Sequence, residues 1–212
     1  MKDKIHTVYK LKNGKKVPGV TTIISILAKP ALIHWAWDLG TKGVDYRKFR
    51  DDKADIGSLA HYLIMCYLKK ETPDTSDYSK KQIDQAENCI ISFFEWEKMH
   101  PFEPILIESP LVSEKYKFGG TPDLLAKING EYCLIDFKTG KGIYVNDMFP
   151  QLAAYSHLLQ ENNYKITNSR ILRIGREESE GFEECLIQDV EPYWKIFKNC
   201  LSIYNIRKRL RE

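Results

Sequence analysis

The 212-residue sequence has no run of about 18 consecutive apolar residues, the length that a membrane-spanning helix needs. Its opening, Met1 to Ile5, carries charge with no apolar segment behind it. No secretory leader is therefore expected, and the expected compartment is the cytoplasm of a bacterial or phage-infected host cell. Five cysteines (Cys66, Cys89, Cys133, Cys185, Cys200) are scattered without a CxxC pair. That spacing argues against a disulfide framework or a zinc site and for reduced thiols in a core. No GxxxxGK[ST] loop occurs, so any motor would be a separate polypeptide. Neither internal repeats nor a low-complexity linker interrupts the chain. A strong charge excess is also missing: 32 Lys and Arg face 29 Asp and Glu, for a net charge of +3. Such a balance permits a nucleic-acid partner without demanding one.

Hydrophobic residues make up 43% of the chain, enough for a substantial core. Lys10, Lys12, Lys15 and Lys16 crowd the start, and Arg207, Lys208, Arg209 and Arg211 crowd the end. Both clusters suit phosphate neutralisation, and both are equally compatible with solvated surface charge.

The order of elements reads as helices, then strands, then a helix, two strands and a helix. Asn13-Gly14 predicts a short hairpin between Thr7–Leu11 and Lys15–Val17. Thr21 or Thr22 is expected to cap a short helix ending before Pro30, and a second helix carries Trp35 and Trp37. Those tryptophans and Tyr46 are read as core aromatics, with stacking on bases as the alternative. Helical periodicity runs from about Asp55 to Leu68, and Ser79 with Gln82 forms a capping-box pattern for a helix to Met99. Strand texture follows from Glu103 to Phe137, then a helix over Asp147–Glu161, strands over Ser169–Ile174 and Glu183–Ile187, and a last helix from Val190. The expected fold is a single α/β domain over 1–212 with a central mixed sheet flanked by helices. In that division 1–100 supplies the N-terminal hairpin and helices, including His61, and 101–212 supplies the sheet core and C-terminal helix.

The most informative segment runs from Gly120 to Gly140. With Asn129-Gly130 as a two-residue turn, Ile128 faces Glu131, and counting outward sets Asp123 opposite Asp136. Lys138 shares the face of Asp136 because side chains alternate with period two. Both strands are apolar on both faces, which marks them as central and covered. Opposed like charges destabilise a sheet, and charges leaving water cost several kcal/mol each unless paired. A divalent cation with oxygen ligands is one compensation. The structural alternative is a Pro-Asp turn at Asp123 and an Asp136–Lys138 ion pair.

Two further pieces lie on helices. His61 follows Gly57-Ser58-Leu59-Ala60, and on its own reads as a hydrogen-bonded core residue more readily than as a ligand. Gln151 and Tyr155 share a helix face at i and i+4 and are individually unremarkable.

In their joint order, His61, Gly120-Thr121-Pro122-Asp123, Asp136-Phe137-Lys138 and Gln151-x-x-x-Tyr155 resemble the PD-(D/E)XK (restriction-endonuclease-like) nuclease superfamily, in its RecB-like branch with phage and mitochondrial exonucleases. The Val17–Ile24 segment also looks like the N-terminal segment of phage and mitochondrial members. The resemblance implies that Asp123, Asp136 and Lys138 are catalytic. It implies His61, Asp123, Asp136 and the Phe137 backbone carbonyl as metal ligands. Gln151, Tyr155, Glu108 and Thr139 would touch substrate or support the ligands. Mg²⁺ or Mn²⁺ is the implied cofactor. An iron–sulfur cluster is not expected, because only Cys185 and Cys200 follow Tyr155.

The implied activity is metal-dependent hydrolysis of DNA, single- or double-stranded, by an exonuclease or end-processing enzyme of recombination, repair or phage DNA metabolism. A separate helicase, recombinase or single-strand-binding protein would be its companion, and no membrane is involved. Two other classes stay open: an endonuclease specific for a structure or sequence, and a binding or inhibitor module without turnover.

Overall fold

The computed structural model describes residues 7–211. The Met1–Ile5 stretch, which bears on the leader, lies outside the described residues. A five-stranded mixed sheet forms the centre: β3 (Phe102–Ile107), β6 (Leu124–Ile128), β7 (Glu131–Lys138), β8 (Asn168–Ile174) and β9 (Phe182–Ile187), hydrogen-bonded in that order. All neighbours are antiparallel except β7 and β8, which run parallel and are joined through helix α5 (Val145–Glu161). Among the described residues no helix is long and apolar enough to cross a membrane.

Side-chain alternation along the strands sorts the interior into two layers. Leu124, Ala126, Cys133, Ile135, Phe137 and Leu172 pack against α3 (Tyr46–Lys69) and α4 (Lys80–Met99). Leu125, Leu134 and Ile171 pack on the opposite face against α1 (Val20–Ile24), α5 and α6 (Glu191–Arg209). Covering both faces explains why β6 and β7 are almost continuously apolar. The capping box on α4 is present, with Ser79 and Gln82 reciprocating. All five cysteines are free thiols, four of them buried and Cys185 partly so.

Three expectations need correction. α1 begins one residue before Thr21, with Gly19 as its N-cap and no side-chain cap, so neither Thr21 nor Thr22 caps it. α3 begins at Tyr46 rather than near Asp55, because Asp45 accepts hydrogen bonds from the N–H groups of Arg47 and Lys48. Its first turns are too polar to show periodicity, and the buried positions start at Ile56. Helix α2 (Pro30–Thr41) has no buried residue, and Trp37 is 69% exposed. Trp35 meets Tyr46 and Phe49 edge-on in a small aromatic group at the surface, not in the core.

Smaller elements position the cleft. β1 (Tyr9–Lys10) and β2 (Lys16–Val17) form the expected hairpin. β4 (Leu111–Ser113) pairs with β5 (Phe118–Gly120), and Gly19 bridges to Gly119. A Cβ on Gly119 would lie 2.2 Å from the Tyr9 ring, so only glycine lets the β1–β2 hairpin lie this close to β5.

Candidate active site

The turn between β6 and β7 sets the geometry of the site. Asn129 and Gly130 both take positive φ (50° and 87°), as a tight two-residue turn requires. The resulting register pairs Leu124 with Ile135 and Ile128 with Glu131. Asp123 sits one residue before β6, at the level of Asp136 in this register. Its Oδ2 accepts a hydrogen bond from the Phe137 N–H (2.8 Å), and its carbonyl accepts one from the Glu108 N–H (2.9 Å).

Three donor groups converge there. His61, carried by α3, places Nδ1 3.4 Å from Asp123 Oδ1. Donor atoms of His61, Glu108 and Asp123 all lie within 4.8 Å of one another. Burial disfavours charge on His61, yet the Asp123 carboxylate outweighs it and holds the imidazole above its ordinary pKa. Asp123 likewise resists burial: His61, Lys138 and the Phe137 N–H keep its carboxyl below the usual range. Burial, then the charge of Asp123, pushes Glu108 up. Glu108 just follows β3 and has φ of 38°, a left-handed conformation unusual for a residue with a Cβ. Such strain costs on the order of 1–3 kcal/mol and collects at functional sites.

Asp136 and Lys138 lie beside this group. Asp136 is 1% exposed and forms an ion pair with Lys138. Its Oδ1 has no hydrogen-bond partner among the described residues. Burial raises its pKa to about 6 against the opposing pull of Lys138, and the charge of Asp123 adds to the rise. On the α5 side, the Gln151 amide donates to the Tyr155 hydroxyl at 3.1 Å. Burial and the charges of Asp136 and Asp123 hold Tyr155 well above its ordinary pKa, so the phenol stays neutral.

These donors suit a hard divalent cation. A buried carboxylate oxygen without a partner, and two more carboxylates converging with one imidazole, form an oxygen-rich set of the kind that Mg²⁺ or Mn²⁺ accepts. Glu108, which sequence reasoning set beside the ligands, joins His61 and Asp123 directly. Asp136 borders that trio and is turned toward Lys138. Phe137 enters through its N–H, and its carbonyl as a ligand remains a proposal.

Asp123, Glu108, Thr121 and Tyr155 open into a cleft of about 600 Å³ walled by Tyr9, Lys16 and α1. The Tyr9 hydroxyl hydrogen-bonds Thr121 Oγ1 (2.9 Å) across its floor. A Cβ on Gly120 would sit 2.7 Å from the Tyr155 ring, so this glycine admits the ring beside the carboxylates.

One residue escaped sequence reasoning. Arg176, just past β8, donates from Nη2 to Thr139 Oγ1 (2.8 Å) and to the Lys53 carbonyl (3.0 Å). It ties the end of β7, next to Lys138, to the helix that carries His61. Thr139 is thereby engaged by Arg176, and a Cβ on Gly57 would lie 2.9 Å from Thr139 Oγ1. The sole sequence signal was the glycine one turn before His61, because nothing local marks Arg176.

The sequence model of the PD-(D/E)XK nuclease superfamily matches residues 50–184. That span is well over half of the chain and includes His61, Glu108, Asp123, Asp136, Lys138, Gln151 and Tyr155. Among solved structures, LHK-Exo in complex with dAMP is 10% identical, with 92% of this chain and 89% of that one covered and a TM-score of 0.48. A structure of an alkaline exonuclease (LHK-Exo) from Laribacter hongkongensis is 13% identical, with 74% and 90% covered and a TM-score of 0.39. Similarities of this size carry no residue-level argument. No curated protein matches the sequence.

Proposed function

The chain belongs to the PD-(D/E)XK nuclease superfamily, and on that premise we propose that it is a divalent-metal-dependent deoxyribonuclease acting from DNA ends. The observation that carries this reading is the convergence of His61, Glu108 and Asp123 within 4.8 Å, beside the buried Asp136–Lys138 pair. The Asp136–Lys138 pair alone would be a structural ion pair. Asp123 and Glu108 facing a cleft, with His61 against Asp123 and a partnerless carboxylate oxygen of Asp136 beside them, exceed what a single ion pair explains.

His61, Glu108 and Asp123, with Asp136 alongside, would hold Mg²⁺ or Mn²⁺. When bound, such an ion polarises a phosphate oxygen and acidifies water. Lys138 supplies a compact positive charge where negative charge grows on the phosphate, an effect of order 10²–10³ in rate for one such donor. The Phe137 N–H fixes the rotamer of Asp123, so the carboxylate needs no reorganisation when substrate arrives. Gln151 and Tyr155 form a neutral hydrogen-bonded pair that orients the acids or the DNA backbone without adding repulsion.

Incubation with linear and closed-circular DNA, with and without Mn²⁺, tests the proposal. Metal-dependent loss of linear DNA with circles left intact is the expected result. Cutting of circles would replace it with an endonuclease, binding without cleavage with an inactive module, and no metal-dependent binding or cleavage would overturn it.

A further inference from the structure

A second groove, of about 470 Å³, lies between α1 and the end of α6, lined by Thr22, Ser25, Tyr204, Arg207, Lys208 and Arg211. Among the described residues no acidic side chain lines it. Thr22 also lines the cleft that holds Asp123 and Glu108, so the two depressions meet along one exposed face of α1. Lys16 stands on the cleft side of that shared wall.

Basic residues in the last turn of a helix have a ready local explanation, because they complement the partial negative charge of the helix end. That explanation does not require the charges to share a groove with another element. Arg207 and Arg211 are four residues apart and both line the groove shared with α1. Neither guanidinium has an ion-pair partner among the described residues. The Thr22 hydroxyl on the opposite wall adds a hydrogen-bond donor to this positive surface, while the Ser25 hydroxyl donates back to the Thr22 carbonyl; donors and positive charge are what a phosphodiester backbone recognises.

We infer that this groove is a track for the DNA strand, gripping backbone phosphates several nucleotides from the metal cleft. The inference rests on the nuclease reading and adds the path that the strand takes beyond the scissile bond. Phosphate binding of this kind carries no base preference and holds successive nucleotides as the strand advances.

Fluorescence anisotropy with labelled single strands, in Ca²⁺ and over a range of salt, tests it. Strands of ~5 and ~20 nucleotides bracket the site sizes usual for such grooves. For the wild type, the longer strand should show the steeper dependence of log K on log salt. In the R207A/R211A double variant that slope should fall by about 1.4, at about 0.7 for each single-strand phosphate no longer neutralised. The slope for the short strand should not change, and R207K/R211K should restore the long-strand slope. An unchanged long-strand slope in a double variant of native circular dichroism overturns the track while leaving the nuclease reading intact. A wild type that binds neither strand overturns both.

Discussion

The N–H of Phe137 donates to Oδ2 of Asp123 at 2.8 Å, so the backbone of one hairpin arm orients the carboxylate of the other. Register and carboxylate geometry are therefore one property here. A slip of one residue in the β6–β7 pairing would both turn Asp136 to the opposite face and deprive Asp123 of its donor.

Asp136→Asn separates stability from activity. Asp136 is buried with one oxygen partnerless, and burial has already raised its pKa to about 6. Without metal, the neutral amide should melt no lower than the wild type in the presence of a chelator. DNA cleavage should fall by at least about 10². Lys138→Ala should lose activity to a similar degree, but should also destabilise the chain, because it strips the partner from a 1% exposed carboxylate, whereas Asp136→Asn leaves an ammonium that is 21% exposed and reaches water. Thermal melts in a chelator alongside nuclease assays check both variants.

Glu108 makes a similar separation possible at a strained position. Its φ of 38° suits glycine, so Glu108→Gly should be more stable than Glu108→Ala by about 1 kcal/mol. Both variants lack the carboxylate and should bind Mn²⁺ more weakly. Urea unfolding and isothermal titration with Mn²⁺ read the two effects independently.

Arg176→Ala removes the tie between Thr139 and the helix carrying His61. Without these charge-assisted hydrogen bonds the chain should be about 2 kcal/mol less stable. Arg176→Lys should recover part of this, since both bonds leave one terminal nitrogen and an ammonium carries enough donors to replace it. Because Arg176 positions groups rather than touching substrate, kcat should fall with KM nearly unchanged. A KM change without a kcat change would point instead to direct binding of substrate.

Gly120→Ala would bring a methyl group 2.7 Å from the Tyr155 ring and 3.0 Å from Val20. Overpacking of this kind costs about 1–3 kcal/mol, and the ring must move away from Asp136. Lower melting temperature together with reduced activity is the expected outcome. Val20→Ala, which clears only one of the two clashes, should not rescue it.

The hairpin register was legible because Asn129-Gly130 and the period-two pattern determine it locally. The sheet core was legible for a related reason: β6 and β7 are apolar on both faces and had to be covered. Membership of the converging trio was harder to read. Glu108 joins His61 and Asp123 through a left-handed residue at a strand end, and nothing local in the sequence announces that conformation. Arg176 lies 37 residues from Thr139 and 123 from Lys53, so its hydrogen bonds exist only after the sheet has formed. The exposed tryptophan at 37 escaped for the opposite reason. Composition favours burying large aromatics, but α2 rests against the rest of the molecule without a buried side.

Crystals soaked in Mn²⁺ and measured for anomalous scattering test the central claim most directly. A peak within about 2.0–2.6 Å of donor atoms from His61, Glu108 and Asp123 is predicted, the distance range for divalent cations on such ligands. A pocket without anomalous signal, with Asp136 still paired to Lys138 and His61 still against Asp123, would contradict it.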